Sequence, residues 1–184
     1  MLRDNSETPN KTERGLIIVF TGDGKGKTTA ALGTALRAAG QGMKTLIIQF
    51  IKSEFGGEHR ACNFLSHYVK IIQFGKGFVF PEKGGIEEHQ AMAQQGLKKA
   101  EEEISSGRYD IVVLDEIFVA LSLGLLELND LLPLISKKPP GLHLILTGRN
   151  APKEIIDLAD TVSEVKEIKH AYKRGVSAQK GIEY

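Results

Sequence analysis

Lys27 and Thr28 close a glycine-rich run, Gly22-Asp23-Gly24-Lys25-Gly26, at a spacing suited to gripping a polyphosphate. Glycines let the backbone turn tightly enough for successive N–H groups to converge on phosphate oxygens. A helix opening at the lysine adds its free N–H groups and the positive end of its dipole. Lys27 supplies a compact charge, and the Thr28 hydroxyl can ligate Mg²⁺. The nucleotide-binding set expected from the loop is Thr21, Gly22, Asp23, Gly24, Lys25, Gly26, Lys27, Thr28 and Thr29, with Lys52 added from the next strand end. One position is irregular: Thr21 stands where the usual phosphate loop begins with glycine, which changes which amides point inward.

Two more strand ends carry chemistry. Ile111 to Leu114 has no polar residue and runs into Asp115 and Glu116. An acidic pair beside a phosphate loop can hold Mg²⁺ directly or through water, whereas the plainer reading makes Asp115 a helix cap. The metal reading is preferred, with Thr28, Glu116 and Asp115 as the candidate ligands. LILTGR (residues 144–149) ends in Arg149, whose guanidinium can pair with phosphate oxygens in fork geometry or form a surface ion pair. The stretch GKGFVF (residues 75–80) carries Phe78 and Phe80. Spacing alone favours a loop tucking both rings into the core over an apolar face for a flat ligand.

The elements that must position these groups are legible from apolar runs. Strands are expected near 16–20, 44–50, 69–73, 110–114, 142–147 and 161–168, alternating with helical segments. That alternation predicts an α/β, P-loop NTPase-like (RecA-like) fold: a mostly parallel sheet with helices on both faces. The first helix should bury Leu32, Ala35, Leu36 and Ala39 and stop at Gly40 to Gly42. A long helix is expected over 86–105, with Ala93, Leu97, Ala100 and Ile104 inward. Others should begin near Glu116, near Asn129 with Pro133 in the first turn, and at Pro152. Residues 52–67 and 74–85 read as long loops at the carboxyl edge of the sheet, where ligands bind in such folds.

At 184 residues the chain suits one domain over 15–184, preceded by a flexible polar segment over 1–14. Its net charge of +1, with no basic cluster, argues against nucleic acid as the main partner. No apolar run approaches the ~20 residues a membrane span needs, so a cytoplasmic location is expected. Cys62 is the only cysteine and reads as a half-buried thiol, and the five histidines show no metal-ligand spacing.

Taken together, VFTGDGKGKTTAALGTALRA, QFIK, GKGFVF, VVLDE, LILTGR and the ending DLADTVSEVKEIKHAY…GVSAQKGIEY resemble the P-loop type ATP:cob(I)alamin (corrinoid) adenosyltransferases from about Gly15 to Tyr184. The resemblance implies attack by the Co(I) of a reduced corrinoid, cob(I)alamin or a relative, on C5′ of ATP. Triphosphate leaves and adenosylcobalamin forms. It also implies ATP lying reversed in the loop, with Mg²⁺ as cofactor, and a catalytic set of Lys27, Phe78, Phe80 and Arg149. The two phenylalanines match positions that displace the lower axial ligand of Co(II), which reverses the reading from spacing. A homodimer and an electron-donating flavoprotein reductase are implied as partners. Relatives often have tryptophan at position 80 and asparagine at position 23, where this chain has Phe80 and Asp23. A RecA-like switch ATPase and a small-molecule kinase are the competing readings. The switch does not account for the apolar GKGFVF loop or the absence of a basic polymer-binding face, and the kinase would usually carry an arginine-rich lid that the sequence does not show.

Overall fold

A computed structural model describes residues 14–77 and 85–184. Six parallel strands form one sheet in the order β3-β2-β4-β5-β1-β6. They are β1 (Ile17–Thr21), β2 (Thr45–Gln49), β3 (Val69–Gln73), β4 (Ile111–Asp115), β5 (His143–Thr147) and β6 (Thr161–Glu164). Between them lie α1 (Lys27–Ala39), α2 (Gly57–Phe64), α3 (Ile86–Ser105), α4 (Ile117–Ser122), α5 (Leu128–Ser136) and α6 (Lys153–Leu158). The α/β class, the parallel sheet and the helices on both faces agree with the sequence reading.

The central strands are apolar on both sides because both sides are covered, and successive side chains feed two separate layers. Leu46, Ile48, Val112, Leu114, Leu144 and Leu146 pack into the layer made by α3 to α6. Ile47, Val113 and Ile145 point the other way, against α1. Each fully buried aliphatic side chain contributes about 1.5–3 kcal/mol. On α1, Ala35 and Ala39 are buried and Leu32 packs against the same layer as expected, but Leu36 departs from expectation. Ala31, Ala35 and Ala38 are buried while Leu36 is 60% exposed. Small side chains at i, i+4 and i+7 bring the helix axis close to the sheet, and this sets its N-terminus directly over the strand ends.

Three other details depart from the sequence reading. Residues 57–64 form a helix inside the stretch read as a loop. β6 ends at Glu164 instead of continuing to 168. Pro133 is the sixth residue of α5, beyond its first turn, so the helix does without the bond its missing N–H would make. The helix over 86–105 and its inward residues Ala93, Leu97, Ala100 and Ile104 are as expected. Phe78, Phe80 and the segment 1–14, apart from Arg14, lie outside the described residues. Arg14 pairs with Asp160 at 2.7 Å. Among the described residues no helix is long and apolar enough to cross a membrane.

Glu103, near the end of α3, is only 4% exposed. Its carboxylate accepts from Lys99 Nζ at 2.8 Å and from Arg108 Nε and Nη2 at 3.1 and 2.5 Å. Burial alone would raise its pKa, but the two cations outweigh it and hold the carboxyl below its ordinary 4.5. A depressed carboxylate contributes stability above its unfolded pKa and loses it as pH falls through the folded value. Glu103→Gln is therefore expected to cost about 1–2 kcal/mol in urea unfolding at pH 7. The difference from wild type should shrink steadily below pH 4.5.

Candidate functional site

β1 to β5 all end in a polar residue at the carboxyl edge of the sheet, and the last residues of β2 to β5 form a polar row. Gln73, Gln49 and Asp115 are in register across β3, β2 and β4, and Thr147 ends the adjacent β5. Above this row lies a cavity of about 440 Å³. Its floor is the loop from Asp23 to Thr29, and its sides carry Lys52, Glu116 and Arg149. Of the residues singled out in the sequence, Thr21, Gly22 and Asp115 stand behind this wall instead of lining it. Thr21 is buried, and its hydroxyl accepts from the Ala151 N–H at 3.1 Å.

The loop glycines have two distinct causes. A Cβ on Gly22 would lie 2.5 Å from the Val165 carbonyl oxygen, and one on Gly24 would lie 2.8 Å from the Lys166 backbone. These two glycines exist because the chain leaving β6 presses against the loop from outside. The same contact spends one amide, since the Gly24 N–H donates to the Val165 oxygen at 2.7 Å. Gly26 is different. Its φ of 122° is costly for any other residue, yet a Cβ there would meet nothing within 4 Å. Its open side gives a ligand close access to the backbone.

Lys27 is buried, and its Nζ donates to the Gly22 and Gly24 carbonyls at 2.7 and 2.8 Å. Burial lowers its pKa, Arg149 adds to that, and Glu116, Asp23 and Asp115 oppose it. A polyphosphate would give this amine an anion in direct contact, where it now holds two carbonyls. Lys25 is held by the chain's own tail, donating to Glu183 Oε1 at 2.5 Å and to the Ile182 carbonyl at 3.1 Å. Gly181 to Tyr184 accordingly form part of the cavity wall. Arg149 stands 4.0 Å from Asp23, with its side chain 59% exposed. Lys52 pairs with Glu58 of α2 at 2.7 Å.

The two acids separate into different environments. Asp115 is fully buried and accepts from Thr28 Oγ1 and Thr147 Oγ1 on Oδ1, both at 2.8 Å, and from Gln49 Nε2 on Oδ2 at 3.1 Å. Glu116 sits at φ 60°, a left-handed conformation that costs a non-glycine residue about 1 kcal/mol or more. The strain is held by its N–H donating to Thr147 Oγ1 at 2.9 Å and by its carbonyl accepting from Val119 and Ala120. It turns the side chain into the cavity. Burial, then repulsion from Asp115, raises the Glu116 pKa, while Lys27, Arg149 and Lys52 pull it down. A carboxylate so placed suits a cation, and among the described residues no group of three acidic, histidine or cysteine side chains offers a competing metal site.

Residues 13–184 match the model of the ATP:corrinoid adenosyltransferase BtuR/CobO/CobP family. The chain belongs to this family. It is similar to the corrinoid adenosyltransferase of Escherichia coli (strain K12), at 40% identity over 173 residues, which covers 94% of this chain and 87% of that one. The corrinoid adenosyltransferase CobA of Salmonella typhimurium shows the same identity and coverage, and that of Pseudomonas aeruginosa is 38% identical over 175 residues. A KaiC-like protein from Pyrococcus horikoshii aligns with 85% of this chain and 75% of its own at 16% identity and a TM-score of 0.49. The adenosyltransferase family is a transferase family, as its resemblance in sequence implied.

The sequence reading missed Gln49, His59 and the 181–184 wall. Gln49 carried one signal, a polar residue directly after the apolar run Leu46 to Ile48. If the chain after β6 shapes the loop, Gly24→Ala should lower the thermal stability of the ligand-free protein by about 1–3 kcal/mol, as overpacking does. An unchanged melting temperature would contradict the close contact.

Proposed function

We propose that this chain transfers the 5′-deoxyadenosyl group of ATP to the Co(I) of a reduced corrinoid, with cob(I)alamin the reference substrate. The bond from cobalt to C5′ forms with the Co(I) electron pair. The C5′–O bond breaks, and its electrons leave on triphosphate. Such a reaction asks little acid–base work of the protein, because the nucleophile is strong and the leaving group already anionic. What it needs is alignment of C5′ with cobalt and neutralisation of charge growing on triphosphate.

The observation that carries this reading is the loop opened at Gly26 over a cavity ringed by Lys27, Arg149 and Lys52, in a chain of the adenosyltransferase family. Lys27 and the loop amides grip the triphosphate, and Arg149 neutralises it from the opposite side. ATP lies reversed relative to other phosphate loops, which leaves C5′ bare toward the cavity mouth. Thr28 and Glu116 fit direct ligation of Mg²⁺, with Asp115 acting through the Thr28 hydroxyl it already holds. When bound, Mg²⁺ neutralises charge on the leaving triphosphate. Phe78 and Phe80 displace the lower axial ligand of Co(II), a role resting on the family resemblance. A homodimer and a flavoprotein reductase as electron donor belong to the same reading on the same ground.

Product identity tests the proposal. Mg-ATP and chemically reduced cobalamin without oxygen should give triphosphate and a light-sensitive alkylcobalamin. ADP and phosphate with no dependence on corrinoid would overturn it. Lys27→Ala should weaken ATP binding by about two orders of magnitude, measured by calorimetry, since it removes a charged donor worth about 1.5–3 kcal/mol per bond. Phe78→Ala should slow turnover from Co(II) more than from pre-reduced Co(I). Equal losses would remove the axial role.

A further inference from the structure

Asp115 has no cation in hydrogen-bond contact among the described residues and depends on three neutral donors for its charge. Two are hydroxyls that can rotate. The third is the Gln49 amide, which helps only if its nitrogen, and not its oxygen, faces the carboxylate. Gln49 is 1% exposed, so no solvent averages the two choices.

What fixes that choice lies three links away. The Gly56 N–H, which can only donate, points at His59 Nδ1 at 3.0 Å. The proton of neutral His59 is therefore on Nε2, and Nε2 donates to its partner, Gln49, at 3.1 Å. The Gln49 atom facing His59 must accept, so it is oxygen, and the nitrogen is left for Asp115. Gln73 confirms the assignment independently. Its Nε2 donates to the Glu54 carbonyl at 3.0 Å and to the same Gln49 oxygen at 3.2 Å. His59 is 6% exposed, and burial holds its pKa below the ordinary value, in keeping with a neutral ring.

We propose that Gln49 and His59 are positioning residues for the cation of the bound nucleotide: they lock the Asp115 carboxylate so that the Thr28 hydroxyl donates to it and turns its lone pairs toward the metal. A flipped Gln49 would set its oxygen against Asp115 Oδ2 and loosen the Thr28 bond. The chain of contacts also ties α2 to the metal side of the site, since Gly56 and His59 belong to the start of that helix. The inference rests on the Mg²⁺ reading given above for Thr28 and Glu116.

The test compares ATP affinity with Mg²⁺ and with EDTA, by calorimetry, in wild type, Gln49→Leu, His59→Leu and His59→Gln. In wild type Mg²⁺ should tighten ATP binding. Gln49→Leu and His59→Leu should lose about tenfold or more of that gain, the usual effect of removing a group that orients a metal ligand, with the EDTA affinity nearly unchanged. His59→Gln keeps an acceptor and a donor and should restore part of the gain. Folded leucine variants with the full Mg²⁺ gain would overturn the proposal. Absence of any Mg²⁺ gain in wild type would instead overturn the metal reading, and this inference with it. Because the leucine variants can fail to fold, wild-type protein labelled with ¹⁵N-histidine supplies a second arm. His59 should appear as the neutral Nε2–H tautomer at pH 7.5 and shift with Mg-ATP but not with ATP in EDTA. An Nδ1–H or doubly protonated ring would overturn the proposal.

Discussion

A carboxylate with no exposure, at the end of an apolar central strand, is the constraint around which the site is organised. Leaving a charge of this kind without hydrogen bonds costs several kcal/mol, so its neighbours are not free to vary. Asp115 takes one donor from β2, one from β5 and one from the first turn of α1. Each donor comes from a different element, and satisfying the carboxylate sets the three in mutual register. The apolar layers above and below hold the strands; this one group decides how their ends meet the phosphate loop. Glu116, its sequence neighbour, is spared that duty. It faces the cavity at the cost of a left-handed backbone.

The loop obeys a second constraint, from outside. Glycines at 22 and 24 are required by the backbone of residues 165 and 166, whereas the glycine at 26 keeps space open on the cavity side. A string of glycines that looks uniform in the sequence therefore combines two demands, packing against the protein and approach to a ligand. The displaced first glycine of the motif fits the same account. Thr21 is still a strand residue, paired with Glu164 of β6, and has no turn to make.

Much of this was legible in the sequence. Buried parallel strands declare themselves as short apolar runs, and the long α3 by its 3.6-residue period, because both signals come from burial on a regular surface. α2 gave no such signal: among its residues only His59 is buried, so the helix has no apolar stripe to read. On α1 the one residue out of place is Leu36, since the apolar period marks large and small side chains alike and does not show how deep each lies. Close approach to the sheet selects alanine at 31, 35 and 38, and leaves Leu36 in solvent. The rim residues Lys52, Glu116 and Arg149 were legible as strand ends, but the links joining Gln49 to His59 were not, since they depend on spatial neighbours without sequence spacing. The segment from 165 to 184 is polar and irregular, and only its family resemblance marked it.

The position of β1 between β5 and β6 bears on the order in which the molecule can be built. Leu16 is bonded to His143 across 127 positions, and Lys25 to Glu183 across 158. β2, β3 and β4 can pair without β1, but loop-closure entropy must be met before β1 itself gains any pairing energy. A partly synthesised chain carries the phosphate-loop letters long before it owns the surface that bends them into shape. The loop can take its final shape only once the backbone of residues 165 and 166 is in place against it.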